Sequence, residues 1–214
     1  YFASVDWGYR APGVVQVWGV DGEMNLYRVA EVYRTQKSYD WWAGVIEELH
    51  KEFKLTTIVC DPAEPRSIEM LNDRLGDPGG RESHRLARKA DNDIMAGLDM
   101  VRWALQPRKD QSPRMMFVKN ALRYGRDEAL SEKSSPCCAE EEFPGFVWLK
   151  QADGKAIKEM PDPVCPDHAL DCARYAAMFA WNKDLSVPNY EPAFPMGSLG
   201  DLLDHEDILE LSHE

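Results

Sequence analysis

The sequence predicts an α/β domain, a mixed sheet flanked by helices, over residues 1–183, followed by an extended acidic tail over 184–214. Three observations carry that expectation. Three β-rich runs follow one another at the start with short links. Apolar residues then recur at helical spacing. From there to residue 181, short apolar strands alternate with helical patterns.

"FASVDWG" (2–8) alternates and is β-rich, and "GVVQVWGV" (13–20) and "MNLYRVAEV" (24–32) follow it. Asp21-Gly22, between the second and third runs, is a tight-turn signal, so the three strands form an antiparallel meander. "YDWWAGVIEELHKEF" (39–53) places apolar residues at 41, 42, 45, 46 and 49, a helical stripe for the core. "TTIVC" (56–60) is a short buried strand ending at Asp61, and "RSIEMLNDRL" (66–75) is a helix closed by Gly76. A loop rich in Gly and Arg spans 76–90. "DNDIMAGLDMVRWAL" (91–105) reads as a helix and "RMMFV" (114–118) as a strand, whereas 125–143 is polar and poorly patterned. "GFVWLK" (145–150) is a strand, "QADGKA" a turn and 167–181 the last long helix; "SVPNYEPAFP" beyond it is extended and loosely held. No internal repeat is present. This order of elements matches the ribonuclease H-like architecture, in which the fourth strand runs parallel to the first through a right-handed crossover.

Composition narrows the function classes. The chain has 214 residues, 44% of them hydrophobic, with seven tryptophans, enough for a real core. No apolar run approaches the roughly 20 residues of a membrane span. The opening "YFASVDWGYR" has no basic leader, and a start without Met reads as a piece of a longer chain. Five cysteines, an odd number, do not make a disulfide framework and fit a reducing cytosol. A net charge of −12 argues against a nucleic-acid partner until its distribution is considered. Residues 196–214 carry six acids and no Lys or Arg, whereas 81–109 hold seven basic residues against four acids. That separation leaves DNA open as a partner.

"CPDHALDCARYA" (165–176) begins a helix with unusual charge. Asp167, after Pro166, suits the N-cap, but capping has no use for His168 and Asp171, three apart on one face. Asp6 stands near the end of the first strand and Asp61 directly after the fourth. If these strands are neighbours, both carboxylates emerge at one sheet edge, where the last helix can bring His168 and Asp171. Three converging carboxylates repel and raise one another's pKa. A divalent cation removes the conflict, and an oxygen-rich set with one imidazole suits Mg²⁺ or Mn²⁺. Two such ions about 3.5–4 Å apart would serve phosphodiester hydrolysis.

Each residue has a plainer reading: Asp6 in a turn, Asp61 at a strand exit, His168 satisfied in the core. It is their joint placement that favours metal. Arg81, Arg85, Arg88 and Lys89, with Arg10 four residues after Asp6, are either a solvated face or DNA phosphate contacts. Cys137, Cys138, Cys165 and His168 make a poorly spaced zinc set. In the tail, Leu199, Leu202, Leu203, Ile208 and Leu211 recur at helical spacing, either a face for a partner protein or a stretch that stays disordered.

"VDWGYRAPGVVQVWGVD", "IVCDPAEPRSIEML" and "PDHALDCARYA", with "MMFVKNAL" and "FPGFVWLK" in order between the last two, resemble the C-terminal nuclease domain of tailed-bacteriophage terminase large subunits across nearly all of 3–180. The resemblance implies that Asp6, Asp61 and Asp171 are acidic metal ligands and His168 an additional one, although some members carry aspartate at the His168 position. It implies a two-ion Mg²⁺ or Mn²⁺ endonuclease that cuts concatemeric double-stranded DNA at genome packaging, in the cytoplasm of an infected bacterium. Its partners would be the portal protein, the small terminase subunit and an ATPase motor domain of the same full-length chain. No G-x-x-x-x-G-K-[ST] pattern occurs here, so this chain is not the motor. Rival readings are another ribonuclease H-like nuclease, such as a junction resolvase or ribonuclease H, and a non-catalytic DNA- or portal-binding module. An actin-like or sugar-kinase fold fits less well, because "DWGYRAPG" is a poor phosphate loop.

Overall fold

The first eight residues set the geometry that matters most. "FASVD" forms β1 (Phe2–Asp6), and a glycine-framed turn leads into β2 (Gly13–Val20), which continues into β3 (Leu26–Arg34). The computed structural model describes residues 1–76, 85–150 and 156–181, with residues 150 and 156–160 by backbone alone. β1, β2 and β3 form an antiparallel meander in which Asp6 lies opposite Val14 and Gly13 opposite Arg34. After α1 (Tyr39–Phe53), β4 (Ile58–Cys60) pairs parallel to β1, with Val5 opposite Cys60. α2 (Pro65–Arg74) leads to β5 (Ala87–Lys89), parallel to β4, and α3 (Ile94–Leu105) leads to β6 (Met115–Phe117), parallel to β3. The six-stranded order is β5-β4-β1-β2-β3-β6. This is a ribonuclease H-like sheet.

Two short helices, α4 (Glu128–Glu132) and α5 (Ala139–Glu142), precede a 3₁₀ turn at Phe143–Gly145. A two-stranded ribbon of β7 (Trp148–Lys150) and β8 (Ala156–Pro161) and the long α6 (His168–Trp181) complete the domain.

The period-2 alternation of strands divides the core into two layers. Ala3, Val5, Val15, Val17, Ile58 and Cys60 pack against α1 and α2. Phe2, Val14, Trp18 and Val59 pack with α3 and α6 on the other face. Because helices cover both faces, β1 and β2 are buried almost throughout and read as continuous apolar runs. Asp6 shares the parity of Phe2, so it belongs to the face covered by α6.

Helix boundaries follow local chemistry. Ser38 caps α1 by accepting from the Trp41 N–H, and Lys54 ends it in the left-handed conformation, its N–H donating to the His50 carbonyl. Asp93 caps α3 by accepting from the Ala96 N–H at 3.0 Å, which is why that helix begins at Ile94 rather than at residue 91. The 125–143 segment carries two helices of five and four residues, too short to show a periodicity; Asp127 caps the first. β5 lies inside the segment expected to be a loop. "ARK" has no strand pattern of its own and is ordered by pairing with β4. Among the described residues, no helix is long and apolar enough to cross a membrane. The 184–214 tail, with its five apolar positions, and Arg81 lie outside the described residues.

The β1–β2 turn has no room for side chains at its base. A Cβ on Gly8 would stand 2.1 Å from the Pro12 carbonyl oxygen, and one on Gly13 would stand 2.7 Å from the Trp42 ring. Gly8→Ala must therefore open the turn that directly follows Asp6. We expect a loss of about 1–3 kcal/mol in denaturant unfolding, with circular dichroism otherwise native.

Candidate functional site

β1 and β4 are adjacent and parallel, so their carboxyl ends coincide. Asp6 is the last residue of β1 and is 9% exposed. Asp61 follows β4 directly; its N–H donates to the Val5 carbonyl at 2.8 Å, fixing it beside β1. Its Oδ1 accepts from the Ala63 N–H at 3.0 Å. α6 starts over the same edge. His168, its first residue, places Nδ1 3.0 Å from Asp6 Oδ2. One turn on, Asp171 Oδ1 accepts from Arg174 Nε at 3.0 Å and Nη2 at 2.8 Å. Asp167 is exposed just before the helix, and its carbonyl accepts the Asp171 N–H at 2.7 Å. The second carboxylate oxygens of Asp6, Asp61 and Asp171 accept no hydrogen bond from the described residues.

Electrostatics agree that these groups share one environment. Burial pushes the Asp6 carboxyl pKa up, His168 pulls it down, and Asp61 and Asp167 push it up again, with a net rise. At Asp171 burial again leads; Arg174 opposes it, Asp167 and Asp6 reinforce it, and the carboxyl is pushed up to about 7. Burial lowers the His168 pKa, but its hydrogen bond and attraction to Asp6 outweigh that and raise it. The Asp6–His168 pair therefore retains a proton that an entering cation would displace. Three carboxylates with free oxygens, one imidazole and a single guanidinium make a donor set suited to a hard divalent ion.

The helix that carries half of this set is held by a residue the sequence reading missed. Glu142, at the end of α5, is 1% exposed. Its Oε1 accepts from the Leu170 N–H at 2.9 Å and its Oε2 from the Tyr33 hydroxyl at 2.7 Å. The N-terminal amides of α6 are thus satisfied from α5, 28 residues earlier, whereas the expectation assigned capping to Asp167. Gln16 Nε2 donates to the Ala169 carbonyl at 3.2 Å and to Glu31 Oε1 at 2.8 Å, tying the same turn to β2 and β3. Arg174, 2% exposed, also donates to Asn92 Oδ1 at 3.2 Å, joining Asp171 to the start of α3. No motif marks Glu142. It sits in the poorly patterned stretch, and only a buried acid near a helix start could have signalled it.

The basic candidates separate. Lys89 ends β5 opposite Cys60, one strand from Asp61, and is exposed at the acidic edge. Arg10 is exposed in the β1–β2 turn. The Arg88 guanidinium stacks 4.6 Å over the Phe179 ring, against α6. Arg85 precedes β5, at its amino end and away from the acids. The cysteine set does not assemble into a zinc site: Cys137 is buried against Ser131 and the Asp127 carbonyl, and Cys165 bonds the Gly145 carbonyl at 3.2 Å.

Among the described residues, the group of ligating atoms all within 4.8 Å of one another is Glu31, Cys138 and Glu140, not the aspartates. That group already holds a cation. Arg28, fully buried, pairs with Glu31 at 2.6 Å and with Glu140 through both Nη atoms. Asp6, Asp61, His168 and Asp171 do not bring three ligating atoms within 4.8 Å of one another.

Burial pushes the Glu142 carboxyl up to about 7, with Tyr33 and the α6 amides opposing. Unfolded, it ionises near 4.5; folded, it keeps its proton until about 7, so stability falls as pH rises through that window. Glu142→Gln keeps the acceptor for Leu170, and the Tyr33 hydroxyl turns to accept from the amide. We expect this variant to fold and to lose part of the decline in Tm between pH 5 and 7. Glu142→Ala should lose about 1–3 kcal/mol at pH 5, because a buried amide is orphaned, and less at pH 7, where the buried carboxyl itself has begun to cost stability.

No family model matches the chain, and no curated protein matches it. Among solved structures, it is similar to the large terminase of bacteriophage HK97, at 12% identity and a TM-score of 0.45 over 82% of this chain. The chain spans 39% of the length of that terminase.

Proposed function

We propose that residues 1–183 form the metal-dependent endonuclease domain of a viral terminase large subunit, cutting concatemeric double-stranded DNA during genome packaging. The observation that carries this reading is the gathering of Asp6, Asp61, His168 and Asp171 at the carboxyl edge of a ribonuclease H-like sheet, with Asp6 and Asp171 both pushed toward protonation. The motif resemblance supplies the family. Asp6, Asp61, His168 and Asp171 would hold two Mg²⁺ or Mn²⁺ ions.

When bound, such ions supply an activated water and neutralise charge on the leaving 3′-oxygen. The chain's own residues prepare the site. Asp6 and Asp61 present carboxyl oxygens from rigid strand ends. Asp6 fixes the ring of His168 through Nδ1, leaving the Nε2 lone pair as the one that would take a metal. Arg174 engages one oxygen of Asp171 and so aims the other. Lys89 and Arg10 flank the edge, where phosphates would approach. The motor domain of the longer chain, the portal protein and the small subunit would deliver DNA in the cytoplasm of the infected cell, with 184–214 as an acidic tail that docks on the portal.

Plasmid nicking with Mg²⁺, Mn²⁺ or EDTA tests the reading. Asp6→Asn and Asp61→Asn should each reduce nicking about 10³-fold or more, as loss of several kcal/mol at the transition state implies, while Tm holds or rises because a repelling charge is gone. Nicking near the wild-type rate by either folded variant would refute the assignment. His168→Ala should weaken Mn²⁺ binding in calorimetry and reduce the protons released on binding. An unchanged titration would return His168 to a structural role.

A further inference from the structure

A second concave surface lies along the same sheet edge, two strands from the aspartates. β3 runs parallel to β1, since each is antiparallel to β2. Asp6 pairs with Val14 and Arg34 pairs with the preceding Gly13, so the ends of β1 and β3 are level. Two inter-strand spacings put them about 10 Å apart. Beyond Arg34 opens a groove of about 520 Å³ whose walls include Arg34, Gln36, Lys37, Trp41, Tyr124 and Glu128. It is joined to the β1–β2 turn by the Gln36 N–H, which donates to the Tyr9 carbonyl at 2.8 Å.

The chemistry of the walls is specific. Lys37 Nζ stands 5.4 Å over the Trp41 ring, and the Trp41 and Tyr124 rings lie 5.7 Å apart, making an aromatic wall with an ammonium at its lip. Tyr124 is 52% exposed. Arg34 donates to the Arg126 carbonyl at 2.9 Å and to the Tyr124 carbonyl. Among the described residues neither Arg34 nor Lys37 has a carboxylate within ion-pair distance. Asp127, the buried acid of the groove, spends its oxygens on Thr35 and the Leu130 N–H. Glu128 and Glu48, which accepts from the Tyr124 hydroxyl, are the exposed acids that oppose an anion here.

We propose that this groove holds a DNA strand beside the scissile phosphate, with phosphates against Lys37 and Arg34 and sugar faces against Tyr124 and Trp41. The roughly 10 Å offset corresponds to about three nucleotides at 3.4 Å per step. Ligands of parallel-stranded sheets bind at the carboxyl ends of strands, and this groove and the aspartates share that edge. The inference rests on the nuclease reading for its choice of ligand.

The test uses the full chain carrying Asp61→Asn, in Mg²⁺, with a fluorescent 30-base-pair duplex and anisotropy measured over a salt series. Lys37→Glu should weaken binding about tenfold and lower the slope of log K against log salt by about 0.9, one lost phosphate contact. Lys37→Arg should restore both. Tyr124→Asn, whose left-handed backbone (φ 62°) asparagine tolerates, should also weaken binding, and Glu128→Gln should tighten it. With Asp61 restored, the Mn²⁺-induced rise in Tm should be the same in all of them. Duplex binding unchanged in Lys37→Glu and Tyr124→Asn, while the chain without Asp61→Asn still nicks plasmid, would overturn the groove and leave the nuclease reading standing. Weakened binding with a lowered Tm that Lys37→Arg does not rescue would also overturn it. Absence of both duplex binding and nicking would overturn the two together.

Discussion

Everything at the candidate site depends on where the first turn of α6 is held. That turn carries His168 and Asp171, and its free amides would otherwise face a desolvated interior. The carboxyl group of Glu142 satisfies the Leu170 amide and takes the Tyr33 hydroxyl on its other oxygen. Gln16 grips the Ala169 carbonyl from the opposite side. A helix start fixed from β2, β3 and α5 at once cannot slide along the sheet without breaking several buried polar contacts, each costly to leave unmade. The repulsion among the acids can therefore persist without pushing α6 away.

The same logic explains the fully buried Arg28. Buried ion pairs seldom add stability over apolar packing of equal volume, but removing one partner is severe. Arg28 binds Glu31 and Glu140, and Glu31 in turn accepts from Gln16 and from the Ala139 N–H. The network runs from the middle of β3 to the start of α5, which places Glu142 under the α6 amides. A charged group far from the aspartates thus helps to determine their spacing.

How much of this was legible differs by element. α1, α3 and α6 show their periodicity over ten or more residues, the meander shows as three β-rich runs with a tight-turn signal, and Asp6 and Asp61 stand at strand ends that the apolar runs delimit. β5 and α5 were not legible. Three residues reading "ARK" and four reading "AEEE" contain no repeat, and both are ordered by what they meet across the sheet. The cap of α6 was misjudged for a related reason. Asp167 occupies the right position in sequence, but the acceptor comes from another element, and local patterns carry no record of such contacts. Arg174 illustrates the opposite case. Its place three residues after Asp171 is visible, while its burial, and hence its hold on that carboxylate, follows only from the packing of α3 on α6, where Gly97 leaves it space.

Charge placement bears directly on how an acidic chain would accept a polyanion. The net charge of −12 is a property of the whole chain, half of it contributed by the acids after residue 196. A DNA strand responds instead to the field within a Debye length, about 8 Å at physiological salt. Along the carboxyl edge the order runs Lys89 on β5, the aspartates at β4 and β1, Arg10 in the turn, then Arg34 and Lys37 beyond β3. Cations therefore bracket the acids on both sides. Such an arrangement repels a phosphate at the centre until divalent ions neutralise it, and attracts the flanking phosphates throughout. Divalent ions would then do more than chemistry, since the central phosphate could settle on the aspartates only once they were bound.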